Sequence, residues 1–454
     1  MILDIDGPAH GGAAVARFGP EAGERAGQVV FVRGALPGET GVPVILDPAP
    51  SAARRFLTGQ VADVTLITGV SPHRVAPVCA AAAAGAGCCD LDIVDVDGAA
   101  EWKRRVVVDQ FTRIGHLDLG AGERVPVTVV SPPPQTGYRT RVRLGVDRDG
   151  QVGLRRFGSH GIVPVDRAVC AQWAPALVDG LAEELASLDP TPGAEICIAV
   201  GDNGARSVVE LTKEPTGRKT SRGRRPGRRR DTTVRRRTRR RVLVGDGTVT
   251  HTVNGVTWTV PAEAFWQAHL SAPSVYSSWI ASTLAGTQPV TEPSGTAGES
   301  GRPVVWDLYG GAGVFAAAVA DALPGTAVDS VDIASDSTAV GQTVLADRDV
   351  RFVDGDVGAC LPELRGAGDD GHPLHAVVLD PPRTGAGKKV LEEIAQRCPE
   401  HILHIGCDPA TAARDAGILC SHGYRPVSLT AVDAFGLTHH VEVLAHYVRD
   451  AGQR

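Results

Sequence analysis

The pattern of hydrophobic and polar positions changes its rhythm at about Val304. From there on, short apolar runs that end in polar residues alternate with stretches of helical spacing. In order, the segments read VVWDLYGGAG, FAAAVADAL, AVDSVDIA, VRFVDGD, HAVVLDPP, VLEEIAQRC and HILHIGCDP. Strands that alternate with helices pair in parallel and are covered on both faces. The pattern therefore predicts an α/β fold with a Rossmann-like sheet.

Upstream of this region the pattern is less regular. Residues 1–62 hold short β-rich runs broken by glycine and proline, which predicts a small β-barrel. Residues 63–262 predict a mixed α+β domain, with a helix near Glu101–Leu117 and strands at Thr140–Val146 and Gln151–Arg155. Three domains are therefore expected, namely 1–62, 63–262 and 263–454.

The composition is that of a globular protein. Of the 454 residues, 43% are hydrophobic and 22% are charged, which excludes a disordered or membrane-embedded chain. The longest run of small residues, around Ala80–Ala84, is far shorter than the roughly 20 apolar residues that a membrane-spanning helix needs. The start carries Asp4 and Asp6 and no Lys or Arg, so a secretory signal is not expected. We expect a cytoplasmic protein whose nine cysteines stay reduced.

The net charge of −6 is the sum of two opposed parts. The low-complexity segment Lys213–Arg241 holds 15 Lys and Arg against 2 Asp and Glu, a local charge of +13, so the remainder carries −19. Its like charges and its glycines predict a disordered loop that condenses on RNA. The alternative is an insertion without a role. Gly286–Pro303, rich in Gly, Ser, Thr and Pro, predicts a linker.

A glycine-rich loop, Asp307–Gly313, follows the first strand of the Rossmann-like region. Its glycines allow a tight turn that lets helix amides face a ligand, although a plain strand-to-helix turn would look the same. Asp332 follows about 20 residues later, where such folds keep an acid for a ribose hydroxyl, and Asp380 ends a further strand. The loop lacks the G-x-x-x-x-G-K-[ST] pattern that grips phosphates. A nucleoside-bearing cofactor such as S-adenosylmethionine therefore fits the site.

Two reactive side chains occur in the last strands. Cys407 ends an apolar strand just before a helix, whose N-terminus is expected to favour an exposed thiolate. Glu442 stands inside an apolar strand, where a carboxylate is costly unless it is paired or functional. The alternative for Cys407 is an unreactive thiol in the core, and the alternative for Glu442 is a position on a surface strand.

Four motifs resemble, in combination and in order, those of the RNA uracil-5-methyltransferase family: DLYGGAG, LDPPRTG, HIGCDPATAARD and THHVE. The N-terminal PAHGGAAVARFG and FVRGALPGE resemble the TRAM domain, a small RNA-binding β-barrel. The resemblance implies a class I methyltransferase domain in which Cys407 is the nucleophile and Glu442 the base. It also implies contacts to S-adenosylmethionine from Gln267, Tyr309, Asp332 and Asp380.

The sequence departs from the family pattern at positions that carry no reacting group. Asp332 replaces the more usual Glu, Gly310 stands where many members have Cys, and Asp408 stands where many have Asn. The chemistry explains the two essential groups. A thiolate that adds to uracil C6 makes C5 nucleophilic, and a base must remove the C5 proton after methyl transfer. The target uridine is expected to leave its stack and enter a pocket.

TRAM-bearing members of the family often hold a [4Fe–4S] cluster on four cysteines, and CAAAAAGAGCCD resembles that segment. Cys79 and Cys89 stand at the first and third ligand positions. The second position holds Ala86 and the fourth also holds alanine, with Cys88 and Cys170 each two residues late. Four thiolates must converge on one cuboid, which is difficult for adjacent cysteines. One possibility is that Cys79 and Cys170, together with one of Cys88 and Cys89, hold the cluster in a remodelled loop. The other is that the cluster has been lost.

The resemblance also bears on the substrate. Members with both the TRAM domain and the cluster segment tend to act on 23S rRNA, which favours rRNA over tRNA. Basic residues of the middle domain offer an RNA-binding face: Arg139, Arg141, Arg143, Arg155 and Arg156. The alternatives are a tRNA uridine-5-methyltransferase, a non-catalytic RNA-binding TRAM protein, and a methyltransferase acting on DNA or a small molecule. The protein is expected to act as a monomer.

Overall fold

The computed structural model describes residues 1–48, 55–119, 125–215, 236–287, 302–368 and 372–450. The centre of the basic segment and most of the predicted linker Gly286–Pro303 lie outside these residues. Within the described ranges, no helix has both the length and the apolar character that crossing a membrane requires.

The N-terminal region forms a six-stranded, nearly closed sheet. Its strands are β1 (Ile2–Leu3), β2 (Ile5–Pro8), β3 (Ala14–Arg17), β4 (Val29–Arg33), β5 (Val42–Leu46) and β6 (Phe56–Val61), with short 3-10 turns at Pro20–Arg25 and Val64–Leu66. The strands pair in the order β1-β5-β6-β4-β3-β2. Residues two apart share a face of a strand, so Ala14 and Ala16 of β3 and Val30 and Val32 of β4 all point into the interior. The predicted barrel is confirmed.

The middle region is built around a second six-stranded sheet. The elements that follow in the chain are α1 (Ala80–Ala83), α2 (Val96–Arg113), β7 (Val127–Val130), β8 (Arg141–Val146), β9 (Val152–Arg155), β10 (Ile162–Pro164), α3 (Pro175–Val178), α4 (Leu181–Ala186), β11 (Glu195–Val200), β12 (Arg206–Pro215), β13 (Arg236–Val244), β14 (Thr248–Val253) and β15 (Val256–Pro261). The sheet has the order β10-β9-β8-β11-β12-β13, and β14 and β15 form a separate hairpin. This mixed α+β architecture agrees with the sequence prediction.

Part of the basic segment is ordered, contrary to the loop expected over all of 213–241. Strand β13 begins at Arg236 and pairs with β12 in antiparallel register, with Pro215 opposite Arg236. Arg241 is held by an ion pair in which its Nε lies 3.0 Å from Oε1 of Glu210, and Arg240 pairs with Glu263. Acidic partners on neighbouring elements therefore offset the repulsion that the composition alone indicates.

The C-terminal region contains the Rossmann-like sheet. Its elements are α5 (Ala272–Ala285), β16 (Val304–Leu308), α6 (Val314–Ala322), β17 (Ala327–Asp332), α7 (Ser335–Val344), β18 (Val350–Asp354), α8 (Val357–Cys360) with a 3-10 turn at Leu361–Glu363, β19 (Leu374–Leu379), α9 (Lys388–Gln396), β20 (His401–Gly406), α10 (Pro409–Ser421), β21 (Tyr424–Val432) and β22 (Glu442–Arg449). The eight strands have the order β18-β17-β16-β19-β20-β22-β21-β7. Strands β16 to β20 are parallel, as predicted, and all of β16 and β19 is buried because helices cover both faces.

Strand β22 runs opposite to both of its neighbours, and this reversal positions the site. Strand β22 lies antiparallel between β20 and β21, with Gly406 opposite Val443. Strand β7 pairs in parallel with β21 and so joins this sheet, although the sequence assigns Val127–Val130 to the middle domain. The boundaries at 62 and 262 stay a prediction.

Candidate active site

A cavity of about 630 Å³ opens at the carboxyl ends of the parallel strands. Its volume is in the range of small-molecule sites, and it lies where ligands bind in open α/β sheets. All six site residues expected from the sequence line it: Gln267, Tyr309, Asp332, Asp380, Cys407 and Glu442. They come from segments up to 175 residues apart in the chain, so the fold assembles one site from separate motifs.

The glycine-rich loop forms the floor of this cavity. Gly313 is the left-handed residue, with φ of 76°, that precedes α6, and Tyr309 also has a positive φ of 63°. At Gly310 a Cβ would lie 2.2 Å from Oδ2 of Asp307, so the cysteine found there in many family members has no room in this chain. Asp332 accepts hydrogen bonds from the backbone N–H of Gly311 at 2.9 Å and of Ala334 at 2.7 Å. Its carboxylate thus ties the loop to the end of β17.

Asp380 faces the same cavity from the end of β19. The side-chain amide of Gln267 donates a hydrogen bond to Oδ2 of Asp380 at 3.2 Å, which links the segment after β15 to the sheet. Burial, with a further contribution from Glu442 and Asp307, raises the pKa of Asp380 well above its usual value. The cavity is therefore rich in carboxylates that a cationic ligand would stabilise in their charged form.

Cys407 follows β20 and faces the cavity, but the expected activation by the helix N-terminus is wrong. Asp408 caps α10 by accepting hydrogen bonds from the N–H groups of Ala410 at 3.0 Å and Thr411 at 2.9 Å. The amides that would favour a thiolate are thus taken by a carboxylate. Burial, reinforced by the charges of Glu442 and Asp380, raises the pKa of Cys407 to about 12.

Glu442 opens β22 directly before Val443, which pairs with Gly406, the residue before Cys407. Its side chain is 4% exposed, and Oε2 has no hydrogen-bond partner among the described residues. Burial raises its pKa to about 7, against the opposing influence of Arg383. A buried carboxylate with an unpaired oxygen at a cavity wall costs stability, so Glu442 is a candidate for a functional role.

Several cavity residues were missed by the sequence analysis. Phe265 and Ile333 are 73% and 76% exposed at the cavity, while Phe435, His440 and Arg383 complete its wall near Cys407. Each lies within three residues of a recognised motif residue. The sequence feature that could have identified them is a large apolar or charged side chain next to a motif residue.

The cysteines that the resemblance implies as cluster ligands do converge. The sulfur atoms of Cys79, Cys88, Cys89 and Cys170 all lie within 4.8 Å of one another. The adjacent Cys88 and Cys89 both contribute a sulfur to the group. Cys170 of the segment after β10 closes it, with its sulfur 3.5 Å from that of Cys89.

The expected arginine face is partly internal. Arg141 is half-buried and donates to the carbonyl of Ala264, and Arg143 donates to the carbonyl of Glu263 at 2.8 Å. These contacts hold the segment that precedes Gln267. Arg141 therefore supports the cavity wall and does not belong to an exposed RNA-binding face.

Relatives that match nearly the whole chain are named RNA methyltransferases, whereas no family model matches it. A protein named an uncharacterized RNA methyltransferase from Corynebacterium efficiens is 40% identical over 450 residues, covering 99% of this chain and 94% of the relative. One of the same description from Corynebacterium glutamicum is 39% identical over 449 residues, covering 99% and 97%.

A solved structure resembles the whole chain. It is the crystal structure of Pyrococcus abyssi tRNA (uracil-54, C5)-methyltransferase in complex with S-adenosyl-L-homocysteine. The TM-score is 0.63 at 18% identity, and the match covers 99% of this chain and 100% of that one. The likeness confirms the fold, including the Rossmann-like domain and its N-terminal and middle additions.

Proposed function

The chain belongs to the RNA methyltransferases, and on that premise we propose that it methylates C5 of a uridine in RNA, with S-adenosylmethionine as the methyl donor. The observation that carries the proposal is the placement of Cys407 beside Glu442 in one cavity, on antiparallel neighbours. A thiol and a carboxylate on one target ring are what C5 methylation requires.

The donor would occupy the part of the cavity bounded by the glycine-rich loop. Asp332 offers a carboxylate for ribose hydroxyls, and Tyr309 offers an aromatic surface. Gln267 and Asp380 form a hydrogen-bonded pair nearer Cys407. The bound donor would supply a methyl group on a sulfonium. The buried carboxylates of Asp380 and Glu442 would favour that positive charge.

The chain's own residues account for the remaining steps. The Cys407 thiol first loses its proton to solvent, and the resulting thiolate bonds to uracil C6. This addition leaves C5 as the nucleophilic carbon of an enolate, so that C5 takes the methyl group. Glu442 then accepts the C5 proton, and the C6–S bond breaks to restore the ring and release Cys407. With its pKa raised to about 7, Glu442 is half deprotonated near neutral pH, which suits a base that must return its proton to solvent.

The proposed substrate rests on the resemblance of the N-terminal barrel to the TRAM domain. We place RNA binding on residues 1–62 and 63–262 and methyl transfer on 263–454, and we favour 23S rRNA over tRNA. The specific alternative is tRNA, because the Pyrococcus abyssi enzyme whose fold this chain shares is named for uracil 54 of tRNA. Action as a monomer in the cytoplasm stays a prediction.

One assay tests the function and the substrate together. Purified protein receives S-adenosylmethionine with a labelled methyl group and, separately, rRNA, tRNA, DNA or no nucleic acid. Digested products are then examined for 5-methyluridine. We expect label in 5-methyluridine of the rRNA sample. Label in tRNA would favour the alternative substrate, and label in another nucleoside would refute C5 chemistry.

Two variants test the residue roles in that assay. Cys407→Ala should lower turnover by roughly 10⁴-fold or more because it removes the nucleophile. Glu442→Gln should trap a covalent protein–RNA adduct, seen as a slow band on a denaturing gel. Cys420→Ala, in helix α10 away from the cavity, is the matched control and should methylate normally. Full activity of Cys407→Ala would contradict the mechanism.

A further inference from the structure

The four converging cysteines form a compact, buried group. Cys79 lies directly before α1, Cys88 and Cys89 lie in the segment after it, and Cys170 lies beyond β10. The side chains of Cys79, Cys89 and Cys170 are 1%, 6% and 2% exposed, and Cys88 is half-buried against the same apolar cluster. Cys89 and Cys170 are 81 positions apart in the chain, yet their sulfur atoms are in contact. Cysteines that only fill the core would not need to meet at one point.

The spacing of the sulfur atoms distinguishes between metal centres. The sulfurs of Cys79 and Cys88 are 3.6 Å apart, and those of Cys89 and Cys170 are 3.5 Å apart. All four lie within 4.8 Å of one another. Four thiolates around one zinc ion, at Zn–S distances of about 2.3 Å, stand roughly 3.8 Å apart. In a [4Fe–4S] cuboid each thiolate binds a different iron, so the sulfurs are separated by roughly 6 Å.

The surroundings supply donors for thiolate sulfur. The backbone N–H of Ala82 donates to the Cys79 sulfur at 3.4 Å, and the side-chain amide of Gln172 donates to the Cys89 sulfur at 3.2 Å. Such bonds offset the negative charge that four thiolates leave on a divalent ion and hold the ligands in place. Gln172 also donates to the carbonyl of Cys88 at 2.6 Å, so it fixes both adjacent ligands.

We propose that Cys79, Cys88, Cys89 and Cys170 bind one tetrahedral divalent metal ion, Zn²⁺ by the chemistry of the donors, instead of the [4Fe–4S] cluster that the family resemblance implies. The shift of two ligand positions and the adjacency of Cys88 and Cys89 bring the sulfurs too close for a cuboid. The site does not depend on the proposed methylation chemistry.

The ion would organise the segment that contacts the catalytic end. Asp90 follows Cys89 directly, and its Oδ1 accepts from the N–H of His439 at 3.0 Å. The N–H of Leu91 donates to the carbonyl of Leu437 at 3.0 Å. These two bonds hold the residues that lead into β22 and Glu442. The proposed site is therefore structural, four-coordinate and closed.

The test uses the full chain, expressed with both iron and zinc in the medium and purified anaerobically. Metal and acid-labile sulfide are counted per chain, and the visible spectrum is recorded. We expect one zinc per chain, no labile sulfide and a colourless protein. About four irons with matching sulfide and absorbance near ~400 nm would overturn the proposal, as would a protein that holds no metal.

Variants assign the ligands. Cys170→Ser should lose the zinc, whereas Cys197→Ser, a buried thiol on β11 outside the group, should retain it. Because misfolding of Cys170→Ser would also release the ion, the half-buried Cys88→Ser is a second test. Co²⁺ replacing zinc in the wild-type chain should give the visible bands of a tetrahedral thiolate site. Retention of zinc by Cys88→Ser and Cys170→Ser, or an octahedral cobalt spectrum, would refute the assignment.

Discussion

Cys407 and Glu442 show how one environment sets the state of two different groups. Burial raises both pKa values, to about 12 for the thiol and about 7 for the carboxyl, while Arg383 opposes the shift in both cases. The carboxylates of Glu442 and Asp380 raise the Cys407 pKa further. The proposed nucleophile is therefore favoured as a neutral thiol until a positive charge enters the cavity.

We therefore expect the methyl donor itself to activate Cys407. S-adenosylmethionine should speed alkylation of Cys407 at pH 8 by roughly tenfold relative to S-adenosylhomocysteine, because a cation a few ångströms away lowers a thiol pKa by a unit or more. The measurement is the iodoacetamide rate at the Cys407 peptide by mass spectrometry, with Cys398 as the internal reference. Equal rates with the two ligands would show that charge does not control the thiol.

At the scale of elements, the N-terminus of α10 is where two regions meet. His10, in the turn between β2 and β3, places Nε2 3.1 Å from Oδ2 of Asp408, the cap of α10. Hydrogen bonding to Asp408 raises the pKa of His10, and Asp408 in turn has its pKa lowered to about 2 despite burial. A small cavity of about 70 Å³ adjoins this pair and is lined by His10, Arg383, Cys407, Asp408, Pro409, His439, His440 and Val441.

The pair predicts a pH-dependent contribution to stability. Since the folded state raises the His10 pKa, the contribution is complete below the ordinary value of about 6.5 and is lost as the pH rises through the raised value. His10→Gln should therefore lower the melting temperature more at pH 6 than at pH 8, by an amount equivalent to about 0.5–1 kcal/mol for this partly exposed pair.

Asp408→Asn is the matched control, because an amide oxygen can still cap α10 but cannot form the ion pair. In that background the effect of His10→Gln should no longer vary with pH. Arg17→Gln, which removes the exposed Asp6–Arg17 ion pair of the same barrel, should leave the pH dependence of the wild type intact. A pH-independent effect in the wild-type background would contradict the pairing.

At the scale of the whole molecule, the three regions are joined next to Glu442. The middle region contributes a buried ion pair between Lys103 of α2 and Asp433, and a second pair links Asp90 to His439. The barrel approaches so closely that a Cβ at Gly12 would lie 2.2 Å from Oδ2 of Asp90. Parts expected to bind RNA thus touch the segment that leads into β22 and Glu442, the proposed base.

The basic segment allows a test of RNA binding by the whole molecule. Residues 216–235, outside the described ranges, carry nine Lys and Arg, and the flanking strands pair Pro215 with Arg236. Replacing 216–235 by an Asn-Gly turn should keep this hairpin closed. Affinity for RNA should fall. The slope of log K against log salt should flatten by about 0.7 for each phosphate of a single strand that the protein no longer neutralises.

A full-length variant with the nine basic residues changed to Gln separates charge from length. If the positive charge is responsible, this variant should show the same loss of RNA affinity and the same flatter salt slope as the deletion. A salt slope equal to that of the wild type in both variants would support an insertion without a role. Binding is measured with a fixed rRNA fragment across a salt series, because affinities at one salt concentration would not separate the electrostatic contribution from the rest.

The sequence by itself determined the features that depend on neighbouring residues. Alternating apolar strands and helices predicted the Rossmann-like sheet, and glycine spacing predicted the loop at Asp307–Gly313. The six residues from Gln267 to Glu442 that line the cavity could be singled out because each motif is continuous in the chain. Backbone geometry and side-chain periodicity act over a few residues, so a linear pattern contains them.

Only the tertiary structure decided what depends on distant partners. The reversal of β22 brings Glu442 close to Cys407, and burial beside Glu442 and Asp380 raises the thiol pKa that the sequence was expected to lower. The convergence of Cys88 and Cys89 and the hydrogen bond from Arg141 to the carbonyl of Ala264 also depend on distant partners. Strand pairing, desolvation and metal-ligand spacing are set by residues far apart in the chain, and they exist only once the chain has folded.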